Sequence, residues 1–184
     1  MIFAEGIEAG CLLYNRNNRT YFLLWKELIL KIYLDNCCYN RPYDDQSQLR
    51  ISLETQAKLY IQDLVKQRKA DLVTSYVLWY ENSQNPYEIR KMSINEFIQK
   101  NTTEYIDVST AEDIKIKAEE IIKTGVKMKD AYHVACAIYA NCDYFLTTDD
   151  RLLKYTTNEI QMLNPIDFIR RLEHSCNSEI TPIE

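Results

Sequence analysis

From Lys31 onward, short apolar runs alternate with helix-period segments, and this alternation constrains the fold more than any other feature of the sequence. Strands covered on both faces of a parallel sheet read as continuous apolar runs, because neither side of them meets water. Residues 32–35, 72–74, 105–108, 144–147 and 160–163 are such runs. Between them Leu49, Leu53, Ala57, Tyr60 or Ile61, and Leu64 recur at helical spacing and predict a long helix that ends before Asp71. Ala111, Ile114, Ala118, Ile121 and Ile122 form a second stripe, opened by the capping-box pattern Ser109-Thr-Ala-Glu112 and stopped at Gly125. Ala131, Val134, Ala135 and Ile138 form a third. Asn85-Pro86 and Asn164-Pro165 each predict an N-cap followed by proline at the first helical position. The expectation is an α/β domain with a parallel sheet buried on both sides.

The 184 residues suffice for one core, with boundaries expected around 30 and 173. Residues 1–30 hold two of the three glycines and a polar 15–19 run, and read as an extension of uncertain status; 174–184 read as a tail. The apolar 21–30 stretch is too short to span a bilayer and carries Lys26 and Glu27. Glu5 and Glu8 stand where a secretory signal needs basic residues. Six cysteines without a C-x-x-C pair, two of them adjacent at Cys37 and Cys38, read as reduced thiols. A cytoplasmic protein with no membrane contact is expected.

Residue types exclude several chemistries. Only Gly125 lies beyond position 10, so no glycine-rich loop can cradle phosphates. His133 and His174 are the only histidines, too few for a three-histidine zinc site. The remaining metal ligands are carboxylates. A net charge of −5 supplies no general attraction for nucleic acid, so a nucleic-acid substrate would need a local basic rim or bound cations.

Four acids stand out by position. Asp35 closes the run Ile32-Tyr-Leu, and crevices at the carboxyl ends of parallel strands are where sites form. Glu81 shares a helical face with Val77 and Leu78 and so points toward packed protein, where a carboxylate is costly without a cation or donors. Asp130 opens an apolar helical segment, and Asp149 follows Tyr144-Phe-Leu-Thr147 by two residues. Taken singly, each has a structural explanation as a turn residue, a cap or a solvated acid. Their joint arrangement is harder to explain that way.

Lys31-Ile-Tyr-Leu-Asp-Asn-Cys-Cys-Tyr-Asn-Arg-Pro-Tyr-Asp-Asp45, Lys129-Asp-Ala-Tyr-His-Val-Ala135 and Cys142-Asp-Tyr-Phe-Leu-Thr-Thr-Asp-Asp-Arg-Leu152 together resemble the PIN-domain nuclease family over about residues 31–172. The resemblance implies a three-layer α/β/α sandwich with a five-stranded parallel sheet. It also implies a Mg²⁺ or Mn²⁺ site built from Asp35, Glu81, Asp130 and Asp149, and RNA cleavage as in VapC-like toxins. An antitoxin partner and a homodimer belong to the same implication. Asn36 departs from the Thr or Ser that many members carry after the first aspartate. The thirty-residue extension is atypical as well.

The chemistry fits the residues. Hard divalent ions take oxygen ligands, and an ion so held lowers the pKa of water and neutralises phosphate charge, so no side-chain nucleophile is needed. The alternative is a catalytically silent module of the same fold that binds RNA or protein. A haloacid-dehalogenase phosphatase is disfavoured because Asn36 and Cys37, not a second aspartate, follow Asp35. Among neighbouring residues, His133 either packs or orients Asp130, and Cys37 lacks a partner histidine nearby in sequence. Asp44 and Asp45 read as loop and cap residues. Arg41, Arg50 and Arg151 are candidate phosphate contacts that solvated arginines explain equally well, and the fourteen tyrosines offer faces for bases.

Overall fold

The computed structural model describes residues 29–177. The strands are β1 (Leu30–Leu34), β2 (Ala70–Ser75), β3 (Thr102–Ile106), β4 (Tyr144–Leu146) and β5 (Gln161–Leu163). The helices are α1 (Asn36–Asn40), α2 (Leu49–Lys66), α3 (Tyr76–Ser83), α4 (Glu88–Asn101), α5 (Ala111–Ile122), α6 (Met128–Tyr139) and α7 (Pro165–Asn177). All five strands run parallel in the order β3-β2-β1-β4-β5. The expected α/β/α sandwich and five-stranded parallel sheet are present. Residues 1–28 and 178–184, most of the expected extension and part of the expected tail, lie outside the described residues. No described helix is long and apolar enough to cross a membrane.

Alternation along β1 builds the two cores. Tyr33 joins Val73 and Phe145 under Ile114, Ala118 and Ile121 of α5 and Ala131, Val134 and Ala135 of α6. Ile32 and Leu34 point the other way, against Ile61 and Val65 of α2, Ile98 of α4 and Phe168 of α7. Successive strand side chains leave on opposite faces, so one strand serves both layers. The chain runs outward from β1 to β3 and then returns to β4 on the other side of β1. This reversal opens a crevice at the carboxyl ends of β1 and β4.

Three local expectations are corrected. The buried face of α2 carries Glu54, Ala57, Lys58, Ile61 and Val65, whereas Leu49 is 75% and Leu53 48% exposed. The helix is turned because Glu54 is drawn inside by Arg41, Arg50 and the side-chain amide of Asn164. Its Oε1 accepts from Arg50 and Asn164, while Arg41 Nε lies 2.8 Å from Oε2 as an ion pair whose N–H is not aimed at the oxygen. Ser109 does not cap α5: Asp107 accepts from the Ser109 N–H and opens a 3-10 turn over Val108–Thr110, which also takes Val108 out of the strand. Asn85 accepts from the Tyr87 N–H in a turn that ends before α4, so it is no N-cap, while Asn164 does cap α7 by accepting from Ile166 N–H. Gly125 ends α5 as expected, at φ +97°, a conformation that costs glycine nothing.

Candidate metal centre

Asp35 is the first residue beyond β1, and its N–H extends the ladder by donating to the Leu146 carbonyl at 2.9 Å. Its side chain is therefore placed by the sheet itself. It is buried, and Oδ2 accepts from the Thr147 hydroxyl at 2.7 Å and from the Cys37 thiol at 3.0 Å. The Thr147 oxygen also accepts from the Asp149 N–H at 3.1 Å, so one buried hydroxyl ties together the segments leaving β1 and β4. Cys37 serves this frame, taking the Thr148 N–H on its sulfur.

Glu81 reaches the crevice from α3, which Ser75 caps by accepting from Leu78 N–H. Its Oε2 lies 2.8 Å from His133 Nε2 and its Oε1 accepts from Lys129 Nζ at 2.7 Å. Burial alone raises the pKa of Glu81, but these two partners outweigh it and bring the carboxyl down to about 2. The solvated alternative for Glu81 is thereby overturned: its side chain is only 19% exposed.

Asp130 lies in the first turn of α6 and is not the N-cap, a position that Lys127 takes. No described residue donates to its carboxylate. Burial, then the charges of Asp35 and Asp149, push its pKa up. Asp149 moves the other way. Burial raises it, yet the Arg151 N–H at 2.8 Å and the Arg151 charge win and lower it. Asp150 turns away and pairs with Arg50 through two hydrogen bonds of 2.7 and 2.5 Å. The segment behind it is a 3-10 turn, Leu152–Lys154, and not the helix over 151–155 that the sequence suggested.

Asp35, Glu81 and His133 offer ligand atoms that all lie within 4.8 Å of one another. Asp130 stands within electrostatic reach of Asp35 and of Asp149, though neither Asp130 nor Asp149 joins that close group. His133 holds Glu81 and not Asp130. It is buried at 1% exposure, with Nδ1 2.8 Å from the Tyr33 hydroxyl, which in turn lies 2.6 Å from Ser75 Oγ. The donor set suits a hard divalent cation: oxygens predominate, they repel one another, and the Asp130 carboxylate has no hydrogen-bond donor among the described residues.

Lys129 and Thr147 escaped the sequence reading as parts of the site. Each acts across a large separation, 48 residues to Glu81 and 112 to Asp35, which no local pattern announces. Arg41 and Arg50 are engaged with Glu54, and Arg50 also with Asp150.

A parallel α/β/α sandwich with carboxylates gathered where its strand order reverses is the class these elements define. No family model and no curated protein matches the chain. Among solved structures, FitAB bound to an IR36 DNA fragment is similar over 73% of this chain and 95% of that one, with TM-score 0.50 and 16% identity. FitAcB from Neisseria gonorrhoeae is similar over 73% and 97%, with TM-score 0.44 and 15% identity. At such identities the likeness to FitAB is one of fold.

Proposed function

We propose that the chain is a Mg²⁺- or Mn²⁺-dependent endoribonuclease of the PIN type that hydrolyses RNA phosphodiester bonds, acting as a cytoplasmic toxin restrained by an antitoxin. The observation that carries this reading is the group of Asp35, Glu81 and His133, whose ligand atoms lie within 4.8 Å of one another, with Asp130 near enough to Asp35 and Asp149 for burial and their charges to raise its pKa. A module that only bound protein or RNA would have no chemical use for a self-repelling group. The motif resemblance and the fold shared with FitAB support it as well.

The four acids would hold the ion, which supplies an activated water and charge neutralisation at the phosphate when bound. Thr147 and Cys37 hold Asp35 through Oδ2, while Oδ1 has no hydrogen-bond donor among the described residues and would ligate. His133 fixes one oxygen of Glu81. Lys129, now on the other oxygen, balances charge before the ion enters and afterwards stands at the rim as a phosphate contact. Arg151 and Lys127 add positive charge beside Asp130, the local basic rim that an acidic chain needs to attract RNA. The antitoxin would cover this crevice, and a homodimer is the expected assembly.

Incubating the purified protein with an RNA pool, with and without Mn²⁺ or Mg²⁺, and mapping fragment ends tests the proposal. Metal-dependent cuts that chelator abolishes support it. Intact RNA under all conditions, from a protein that binds Mn²⁺, favours the catalytically silent alternative.

A further inference from the structure

Two clefts flank the carboxylates. One, of about 480 Å³, is lined by Asp130 with Lys127, Arg151 and Lys154, a wall suited to backbone phosphates. The other, of about 350 Å³, is lined by Glu81 and Lys129 together with Asn36, Tyr80 and Tyr87. Its chemistry is different: amides and exposed aromatic faces, with Tyr80 69% and Tyr87 61% exposed.

A chain of three asparagines sets the donor pattern of this second cleft. The Tyr87 N–H can only donate, so the oxygen of Asn85 faces it at 3.1 Å and the Asn85 NH₂ turns to Asn40 Oδ1, also at 3.1 Å. At the other end the Asn36 carbonyl can only accept, so the Asn40 NH₂ faces it at 2.9 Å and also reaches Asn36 Oδ1 at 3.2 Å. Backbone groups at both ends thus decide the orientation of every amide. The Asn36 oxygen is used, and its NH₂ has no partner among the described residues. It is presented beside Asp35 as a donor. Arg90, stacked 4.6 Å over Tyr87 and 4.8 Å over Tyr43, holds the Tyr87 ring in place.

Resting on the ribonuclease reading above, we propose that this cleft is the subsite for the nucleobase beside the scissile phosphate. Tyr80 and Tyr87 give stacking faces, and the Asn36 NH₂ selects a base that presents a carbonyl oxygen, such as uracil, over adenine, whose Watson–Crick edge points an amino group at the same donor. Asn36, the departure from the usual Thr or Ser, is a specificity residue. It touches the base and leaves the carboxylates unchanged.

The test is fluorescence anisotropy of labelled U6 and A6 oligoribonucleotides titrated with the full chain in chelator, where no cleavage occurs. U6 is expected to bind about tenfold more tightly than A6, the size of one well-placed hydrogen bond. Asn36→Ala should bring the two affinities together, and Asn36→Asp, which turns the donor into an acceptor, should reverse their order. Tyr80→Ala should weaken both alike, since stacking is tolerant of sequence. Equal binding of U6 and A6 by the unsubstituted chain, or a preference that survives Asn36→Ala, overturns the proposal. Fragment ends mapped with Mn²⁺ separate the two readings. Cleavage without the base preference leaves the nuclease and removes the subsite, while the base preference without any cleavage does the opposite.

Discussion

His133 Nε2 lies 2.8 Å from Glu81 Oε2, across 52 residues of sequence and between two different helices. A carboxylate only accepts, so Nε2 is the donor. With a neutral ring, Nδ1 then accepts from the Tyr33 hydroxyl, which accepts a hydrogen bond from the Ser75 hydroxyl, while Ser75 accepts from Leu78 N–H at the start of α3. Hydrogen bonds therefore run one way from the cap of α3 to the carboxylate that α3 carries. Outer partners of this kind orient a metal ligand and hold it ready.

Replacing His133 by Phe should lower Mn²⁺ affinity about 10–100-fold, the usual cost of losing an outer-shell partner. His133→Gln, which keeps a donor, should recover part of it. Titration calorimetry measures both, and equal affinity in all three proteins would remove His133 from the site.

Asp35→Asn should abolish RNA cleavage and also the rise in unfolding temperature that Mn²⁺ gives the unsubstituted protein. In chelator the variant should be at least as stable, because Asp130 loses one of the two negative neighbours that raise its pKa. Full cleavage by Asp35→Asn would end the metal mechanism.

Asp149 and Asp150 are neighbours with different duties. Asp149→Ala should lose most cleavage and Mn²⁺ binding. Asp150→Ala should keep both and show only a small drop in unfolding temperature, since it gives up an exposed pair with Arg50. The assignment fails if Asp150→Ala is the more damaging.

Glu54 is fully buried and joins Arg41, Arg50 and the cap of α7. Glu54→Ala leaves these groups without their acceptor and should cost about 3–5 kcal/mol in denaturant unfolding. A loss below about 1 kcal/mol would mean that the arginines simply turn to solvent.

Lys58 is buried at 6% exposure, with its ammonium 5.9 Å from the centre of the Tyr39 ring. Burial brings its pKa from 10.5 to about 8. The unfolded chain therefore binds more protons between these values, and stability attributable to Lys58 rises as pH goes from 8 to 10.5. Below pH 8 the folded state bears the full cost of the buried charge. Lys58→Met should accordingly stabilise the protein at pH 7, by an amount on the order of 3 kcal/mol, and gain progressively less toward pH 10.5. Unfolding followed in parallel for both proteins across this range gives the difference directly, and a pH-independent difference would contradict it.

Edge strand β3, Thr102–Ile106, is half exposed and begins Thr-Thr-Glu, so the sequence misplaced it at 105–108, whereas β1 and β4 were legible because burial on both faces leaves little room for polar residues. Asp35 and Asp149 stood out for the same reason: they are the first acids past apolar runs that a parallel sheet brings side by side. Helices α5 and α6 followed from stripes whose central residues, Ile114, Ala118 and Ile121 and Ala131, Val134 and Ala135, all meet the core. Helix α2 did not, since its inward face carries Glu54 and Lys58, and only the arrival of Arg41, Arg50 and Asn164 from elsewhere makes a buried glutamate tolerable there. The hold of His133 and Lys129 on Glu81, the Thr147 hydroxyl on Asp35 and the asparagine chain ending at Asn36 are likewise contacts between distant segments. Local sequence determines which residues can face a layer. Which polar groups meet inside it depends on how the layers close, because a buried polar group is stable only where its partner is brought to it.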